Sequence, residues 1–148
     1  MKPTLISLLA AALLVSALPA SAQNAGQIAR VRAGASCPGC NLFQGDFGGL
    51  EARGLNLSGA RLRQSDMSLS VMNRTRFTSA DMRDVEAYGA VFSSTNFSRA
   101  DLTNASLVGT NLSGASLLRA TGLTQAQLNR ACGDEATRLP GSLRIPAC

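Results

Sequence analysis

A five-residue period runs without a break from residue 40 to residue 119, and an apolar or small residue holds the centre of all sixteen units. A five-residue step turns about 140° on an α-helix and changes face on a strand, so neither element keeps the centres on one side. The chain must therefore turn a corner every five residues, which predicts a solenoid. Two centres are alanines, Ala52 and Ala87, and the other fourteen are Leu42, Phe47, Leu57, Leu62, Met67, Met72, Phe77, Met82, Phe92, Phe97, Leu102, Leu107, Leu112 and Leu117.

The residues around the centres also follow a pattern. A small residue usually stands two positions before the centre and is expected to point inward, and Asp or Asn often stands one position before it. The clearest units are Ala80-Asp81-Met82, Thr95-Asn96-Phe97, Ala100-Asp101-Leu102 and Thr110-Asn111-Leu112. These units resemble the pentapeptide-repeat family. The resemblance implies an all-β solenoid, a right-handed quadrilateral β-helix with four units per coil, hence about four coils over residues 40–119.

Residues 1–22 have the pattern of a secretory signal peptide. Lys2 precedes an apolar run from residue 5 to residue 18, and Ala20-Ser21-Ala22 supplies the small residues of a cleavage site. The run is short for a transmembrane helix. We therefore expect an exported protein whose mature chain begins near Gln23 and has no transmembrane segment, with the periplasm preferred over the extracellular medium.

The segments on either side of the repeats are expected to cover the open ends of the solenoid. Residues 23–39 would form an N-terminal lead-in and cap, and residues 120–148 a C-terminal cap with a short helix. Thr124 and Gln127 have the spacing of a capping box at the start of that helix. Four short sequences are similar to the tail of exported bacterial members of the family: Gly122-Leu123-Thr124, Ala131-Cys132-Gly133-Asp134, Leu139-Pro140 and Pro146-Ala147-Cys148.

Four cysteines lie in two pairs, Cys37 with Cys40 before the centres and Cys132 with Cys148 after them. In an exported protein they predict two disulfides, and pairing within each local pair is the simplest of the three connectivities. A redox dithiol and a metal pair stay open as alternatives for Cys37 and Cys40. The thioredoxin type of site needs a βαβ setting, and a c-type haem site needs His where Asn41 stands. We expect no metal and no cofactor.

The composition argues against catalysis. The chain has no His, and its only Lys lies in the signal peptide, which removes the usual general base and amine nucleophile. We therefore expect no enzymatic activity and no catalytic residue. Thirteen arginines face nine acidic residues in the mature chain, and this modest excess without clustering predicts no binding to nucleic acid.

Residues twenty apart are expected to stack in columns on the outside of the solenoid. In the column Asp46, Asp66, Glu86 and Ser106, three carboxylates either hold a hard cation such as Ca²⁺ or are solvated with raised pKa values, and we favour the solvated state. Arg61, Arg63 and Arg83 share a face with Asp81, Asp84 and Asp101, where partial pairing is expected. A candidate interaction surface joins exposed apolar residues to arginines gathered around one corner: Leu69, Val71, Tyr88, Val91, Arg74, Arg76, Arg99 and Arg119.

Three functions are compatible with these features. We favour a non-enzymatic exported solenoid that acts as a rigid structural or protein-interaction module in the cell envelope, with an unidentified protein partner or a second copy of the chain. The resemblance also suggests a DNA mimic that modulates type II topoisomerases, but such family members are strongly acidic and cytoplasmic, unlike this chain. The third function is binding of an anionic glycan or lipid through the arginines.

Overall fold

The computed structural model describes residues 24–148, and the expected signal peptide, residues 1–22, lies outside that range. Helix α1 (Ala25–Arg32) precedes the repeats and helix α2 (Gln125–Leu128) follows them. Between the two helices the described backbone contains isolated parallel β-bridges. No extended β-strand is present in this part of the chain. Most bridges join residues twenty apart, beginning with Asn41 and Arg61, so four five-residue units separate stacked residues. These bridges confirm the solenoid that the period predicts and the β structure that the resemblance implies.

Every unit makes the same tight turn. In the first unit the N–H of Gly45 donates to the carbonyl of Leu42 at 2.9 Å, and Gln44 at the third position of this turn has a φ of 54°. The equivalent residue has a positive φ in all sixteen units, and ten of these sixteen residues are not glycine. Because residues with a Cβ disfavour this region, the winding of the chain imposes it.

Backbone hydrogen bonds join each unit to the unit stacked on it. The N–H of Leu42 donates to the carbonyl of Arg61 at 2.8 Å, and the N–H of Arg61 donates to the carbonyl of Cys40 at 2.9 Å. A third bond links the turns, from the N–H of Gln44 to the carbonyl of Arg63 at 3.1 Å. The walls thus satisfy their own backbone groups, which is the requirement for any buried chain.

The unit centres fill the interior. The structure places all fourteen predicted Leu, Met and Phe centres in the core, with exposed fractions between 0 and 5 %. Phe77, Phe92 and Phe97 pack against one another with ring centroids 5.3 to 6.0 Å apart. The solenoid has four faces, and each face is defined by its four centres. The first face has Leu42, Leu62, Met82 and Leu102; the second Phe47, Met67, Ala87 and Leu107; the third Ala52, Met72, Phe92 and Leu112; the fourth Leu57, Phe77, Phe97 and Leu117.

Helix α1 covers the first coil, where the sequence predicted a cap and did not specify its secondary structure. Val31 of α1 is fully buried in the core. Two polar side chains pair with the exposed edge of the coil: Asn24 Nδ2 donates to the carbonyl of Phe43 at 2.9 Å, and Gln27 Oε1 accepts from the N–H of Asn41 at 2.6 Å. These contacts cover the free edge of the coil, which would otherwise be open to pairing with a strand of another chain.

The repeat conformation begins one unit earlier than residue 40. Cys37 stands five residues before Leu42, is 1 % exposed, and donates its N–H to the carbonyl of Asn56 at 3.0 Å, as a centre does. Cys37 and Cys40 lie at disulfide distance, with Cα atoms 5.5 Å apart, and Cys132 and Cys148 do so with Cα atoms 4.7 Å apart. The two cysteine pairs are therefore the local ones.

Helix α2 closes the other end and begins with the capping box that the sequence predicts. Thr124 Oγ1 accepts from the N–H of Gln127, and Gln127 Oε1 accepts from the N–H of Thr124. Gln127 Nε2 also donates to the carbonyls of Leu102 and Ala105, each at 2.9 Å, and so pairs edge groups of the last regular coil. Leu128 is fully buried beneath the helix. Neither helix of the described chain is long and apolar enough to cross a membrane.

Candidate interaction surface

Two large apolar side chains stand exposed on the second face. Leu69 is 62 % exposed and Tyr88 is 57 % exposed, and they are joined through the backbone, where the N–H of Leu69 donates to the carbonyl of Tyr88 at 2.8 Å. Leu69 leans over Gly89, since a Cβ built on that glycine would lie 2.8 Å from Leu69 Cδ2. The glycine therefore leaves the space in which Leu69 lies beside Tyr88.

The third face carries the valines of the predicted surface. Val71 and Val91 form a parallel bridge with each other, and both side chains are half-buried. The sequence predicted that they would be exposed. They are therefore a smaller part of the apolar surface than the sequence suggests.

The predicted group of arginines does not gather around one corner. Arg74 lies in the turn that ends the third face, and Arg76 lies on the flat part of the fourth face. Arg99 and Arg119 lie in turns at the far side of that face. The turns recur every five residues, so arginines twenty-five residues apart fall on successive corners. All four side chains are exposed and form no ion pair within residues 24–148.

The arginines of the first face are partly paired, as expected: Arg63 and Arg83 have carboxylate partners, and Arg61 forms no ion pair within residues 24–148. Arg83 donates from Nε and Nη2 to the two carboxylate oxygens of Asp81 at 2.8 and 2.7 Å, and it lies 3.8 Å from Asp101. Arg63 Nε lies 3.4 Å from the carboxylate of Asp84. The hydrogen bond from Arg83 holds the pKa of Asp81 below its usual value and raises the pKa of Arg83. These two arginines already have carboxylate partners.

The acidic column of the second face is used by its own turns. Asp66 Oδ1 accepts from the N–H of Ser68 at 2.8 Å, and Asp46 Oδ1 accepts from the N–H of Gly48 at 3.0 Å. Hydrogen bonds from the side chain and backbone of Ser68 lower the pKa of Asp66, opposite to the expected rise, because they stabilise the ionised form. Within the described residues no cluster of three potential metal ligands forms.

One feature of the third face escaped the sequence analysis. A cleft of about 150 Å³ follows the corner between the third and fourth faces. Its lining includes Arg53, which the sequence did not suggest as a site residue. The residues that line the cleft are Arg53, Asn73, Arg74, Ser93 and Ser94. The spacing of twenty residues would have found it, because residues 53, 73 and 93 form one column and residues 74 and 94 the next. Gly54 lies before Arg74 in that second column and adds no side chain to it.

Comparison with solved structures finds similarity to several pentapeptide repeat proteins. Rfr23 from the cyanobacterium Cyanothece 51142 is 24 % identical, over 80 % of this chain and 99 % of that one, with a TM-score of 0.44. A protein from the Arabidopsis thaliana thylakoid lumen is 19 % identical, over 70 % and 68 %, with a TM-score of 0.38. QnrB1, a plasmid-mediated fluoroquinolone resistance protein, is 15 % identical, over 65 % and 61 %, with a TM-score of 0.40. Comparison with curated proteins gave no significant match.

A match to a protein-family model covers a large part of the sequence. Pentapeptide repeats match residues 56–93 and 95–132 in eight copies. Proteins of this type form right-handed quadrilateral β-helices and are generally non-enzymatic structural or interaction modules. Because the match takes in just over half of the 148 residues, the chain belongs to the pentapeptide repeat family.

Proposed function

We propose that the protein is an exported, non-enzymatic interaction module of the cell envelope that binds another protein through its second and third faces. The observation that carries this proposal is the exposed pair Leu69 and Tyr88, 62 % and 57 % exposed. Large apolar side chains held on a rigid ladder lose little conformational entropy on binding, and Tyr is enriched at protein interfaces. Val71 and Val91 extend the apolar surface onto the adjoining face.

Export rests on the sequence of residues 1–22, and two further features support it. Both cysteine pairs lie at disulfide distance, which suits an oxidising compartment. The tail around Cys132 and Cys148 is similar to that of exported family members. We place the mature protein in the periplasm, as a rod of about four coils between an N-terminal cap and a C-terminal cap. The excess of thirteen arginines over nine acidic residues in the mature chain disfavours a DNA mimic, whose surface must be acidic.

Site-specific photo-crosslinking in the source cells tests this proposal. A crosslinking residue replaces Tyr88, Val91 or Arg99 in turn, and a fourth variant carries it at Arg61 on the first face as the control. We expect Tyr88 and Val91 to capture the same protein, identified by mass spectrometry, and Arg61 to capture none. An adduct between two copies of the chain would identify the partner as a second subunit.

A matched pair of variants then tests the apolar contact itself. Leu69→Ser with Tyr88→Ser should abolish capture from Val91 without lowering the melting temperature. Leu118→Ser is the control, because Leu118 is also an exposed apolar side chain, 40 % exposed, but lies on the fourth face. Equal capture from all four crosslinker positions, or equal loss in both variants, would contradict the proposal.

A further inference from the structure

We propose that the cleft at the corner between the third and fourth faces binds a phosphate-type oxyanion. This inference goes beyond the proposed protein contact and does not depend on it, because the cleft and the Leu69–Tyr88 pair use different side chains. The cleft is lined by Arg53, Asn73, Arg74, Ser93 and Ser94. All five side chains carry hydrogen-bond donors, and none is an acid.

The two arginines of the cleft differ from Arg63 and Arg83 of the first face. Arg63 and Arg83 form ion pairs with aspartates, whereas Arg53 and Arg74 are exposed and form none within residues 24–148. Glu51, on the same face, is outside ion-pair distance of both. Two guanidinium groups with no carboxylate beside them create a local positive potential, and their planar donor forks suit phosphate geometry.

The polar side chains of the cleft are positioned by the ladder. Asn73 Oδ1 accepts from the N–H of Ser93 at 3.0 Å, which leaves the amide NH₂ of Asn73 as a donor. The backbone N–H of Arg74 donates to the carbonyl of Ser93 at 2.9 Å, and the N–H of Ser94 donates to the carbonyl of Ser113 at 2.8 Å. Because three stacked turns are locked together in this way, the cleft is formed before any ligand arrives.

The size of the cleft selects the ligand class. Its volume of about 150 Å³ corresponds to roughly five water molecules. That space suits one tetrahedral oxyanion and is too small to enclose a whole nucleotide or oligosaccharide. The cleft opens to solvent, so the group attached to the oxyanion remains outside. A free phosphate ion and a phosphomonoester on a lipid headgroup meet the same chemistry, and the experiment below distinguishes these two sources.

The test is titration of the purified protein with inorganic phosphate, followed by the NMR shifts of backbone amides at constant ionic strength. Saturable shifts are expected at Asn73, Ser93 and Ser94 and not at the equivalent turns of the first face. The double variant Arg53→Gln with Arg74→Gln should raise the Kd by about tenfold or more, since it removes two charge-assisted contacts. In parallel, vesicles of phosphatidylcholine with and without phosphatidic acid report on the lipid-borne source.

The control is the double variant Arg99→Gln with Arg119→Gln, which removes the same charge from two other unpaired arginines. It should leave the Kd within about twofold, because it changes only the long-range potential. Binding of phosphatidic acid vesicles that is lost only in the Arg53 and Arg74 variant assigns a lipid source, and phosphate binding alone assigns a soluble one. Equal effects of the two doubles, or no saturable binding in either assay, would overturn the proposal.

Discussion

Inward-pointing hydroxyl groups differ in what they contact. Thr95 Oγ1 and Thr110 Oγ1 donate to the carbonyls of Met72 and Ala87, at 3.2 and 2.8 Å. The hydroxyls of Ser65, Ser70 and Thr75 are fully buried with no hydrogen-bond partner in the described chain. The sequence predicts that all five positions point inward, but it does not show which hydroxyl finds a carbonyl, because that depends on sub-ångström placement between stacked coils.

Replacing Thr75 with Val should therefore stabilise the protein. The variant keeps the shape of the side chain and removes a buried hydroxyl that has no partner, so we expect a gain of about 1 kcal/mol. Thr110→Val is the matched control. It breaks a hydrogen bond and should cost about 1 kcal/mol. Urea denaturation of both variants measures the two changes, and shifts of the same sign would contradict the assignment.

The positive φ values of the turns constrain which residues fit there. Gly59 has a φ of 66°, and a Cβ added there would meet nothing within 4 Å, so only backbone strain opposes a side chain. Gly59→Ala should cost about 1 kcal/mol. Gly26, in helix α1, has the same free space without a positive φ, and Gly26→Ala should instead stabilise by up to about 1 kcal/mol. Thermal melts that moved together in the two variants would show that φ is not the cause.

Among the larger elements, the two caps differed in how well they could be predicted. Helix α2 has a local signal, since Thr124 and Gln127 form a capping box within four residues. Helix α1 has no side-chain cap and no acidic residue in its first turn, and it is anchored by contacts to residues 41 and 43 across the end of the solenoid. Such contacts are not visible in a local window of sequence.

The Cys132–Cys148 disulfide should hold the final segment of the chain. It closes a loop with a sequence separation of 16 and lies beside the bridge between Gly133 and Ala147. Replacing both cysteines with Ser should cost about 3 kcal/mol or less. The N–H of Gly133, which donates to the carbonyl of Pro146 at 2.8 Å, should then exchange faster with deuterium.

Two comparisons locate the effect of this disulfide. The N–H of Leu57 in the ladder should keep its exchange rate, and Ser142→Ala, an exposed substitution in the same segment, should change neither rate. Unaltered exchange at Gly133 in the double variant would mean that the pairing of Gly133 with Ala147 does not need the disulfide.

Over the whole molecule, three aspartates accept hydrogen bonds from neighbouring groups of the fold. Asp81 is paired with Arg83, Asp66 accepts from Ser68, and Asp134 accepts from the N–H of Gly114 at 2.9 Å, which binds the C-terminal cap to the last coil. Each of these pKa values is lowered from the usual 3.8, chiefly by the hydrogen bonds from Arg83, Ser68 and Gly114, respectively. Folding thus favours the ionised forms.

Stability should therefore decrease in acid. A carboxyl group with a folded pKa below 3.8 adds stability above that pH, and the contribution is lost as the pH falls through the folded value. Urea midpoints should be steady from neutral pH to about pH 5 and fall below about pH 4. Asp81→Asn should reduce the slope of this fall, whereas Glu135→Gln, an exposed substitution, should not. A flat profile down to pH 2 would contradict the linkage.

The sequence by itself determined the solenoid and the identity of the buried centres. These follow from a period repeated over sixteen units, since each unit can bury its centre in only one way. The twenty-residue columns were implied by the family resemblance, and the local pairing of the cysteines, the simplest of three connectivities in the sequence, was decided by the structure. Only the tertiary structure decided which arginines are paired, how far Val71 and Val91 are buried, and where helix α1 lies. Those features depend on side-chain distances between residues about twenty apart and on contacts at the ends of the rod. A period specifies that residues stack, but it does not specify which of their polar atoms meet.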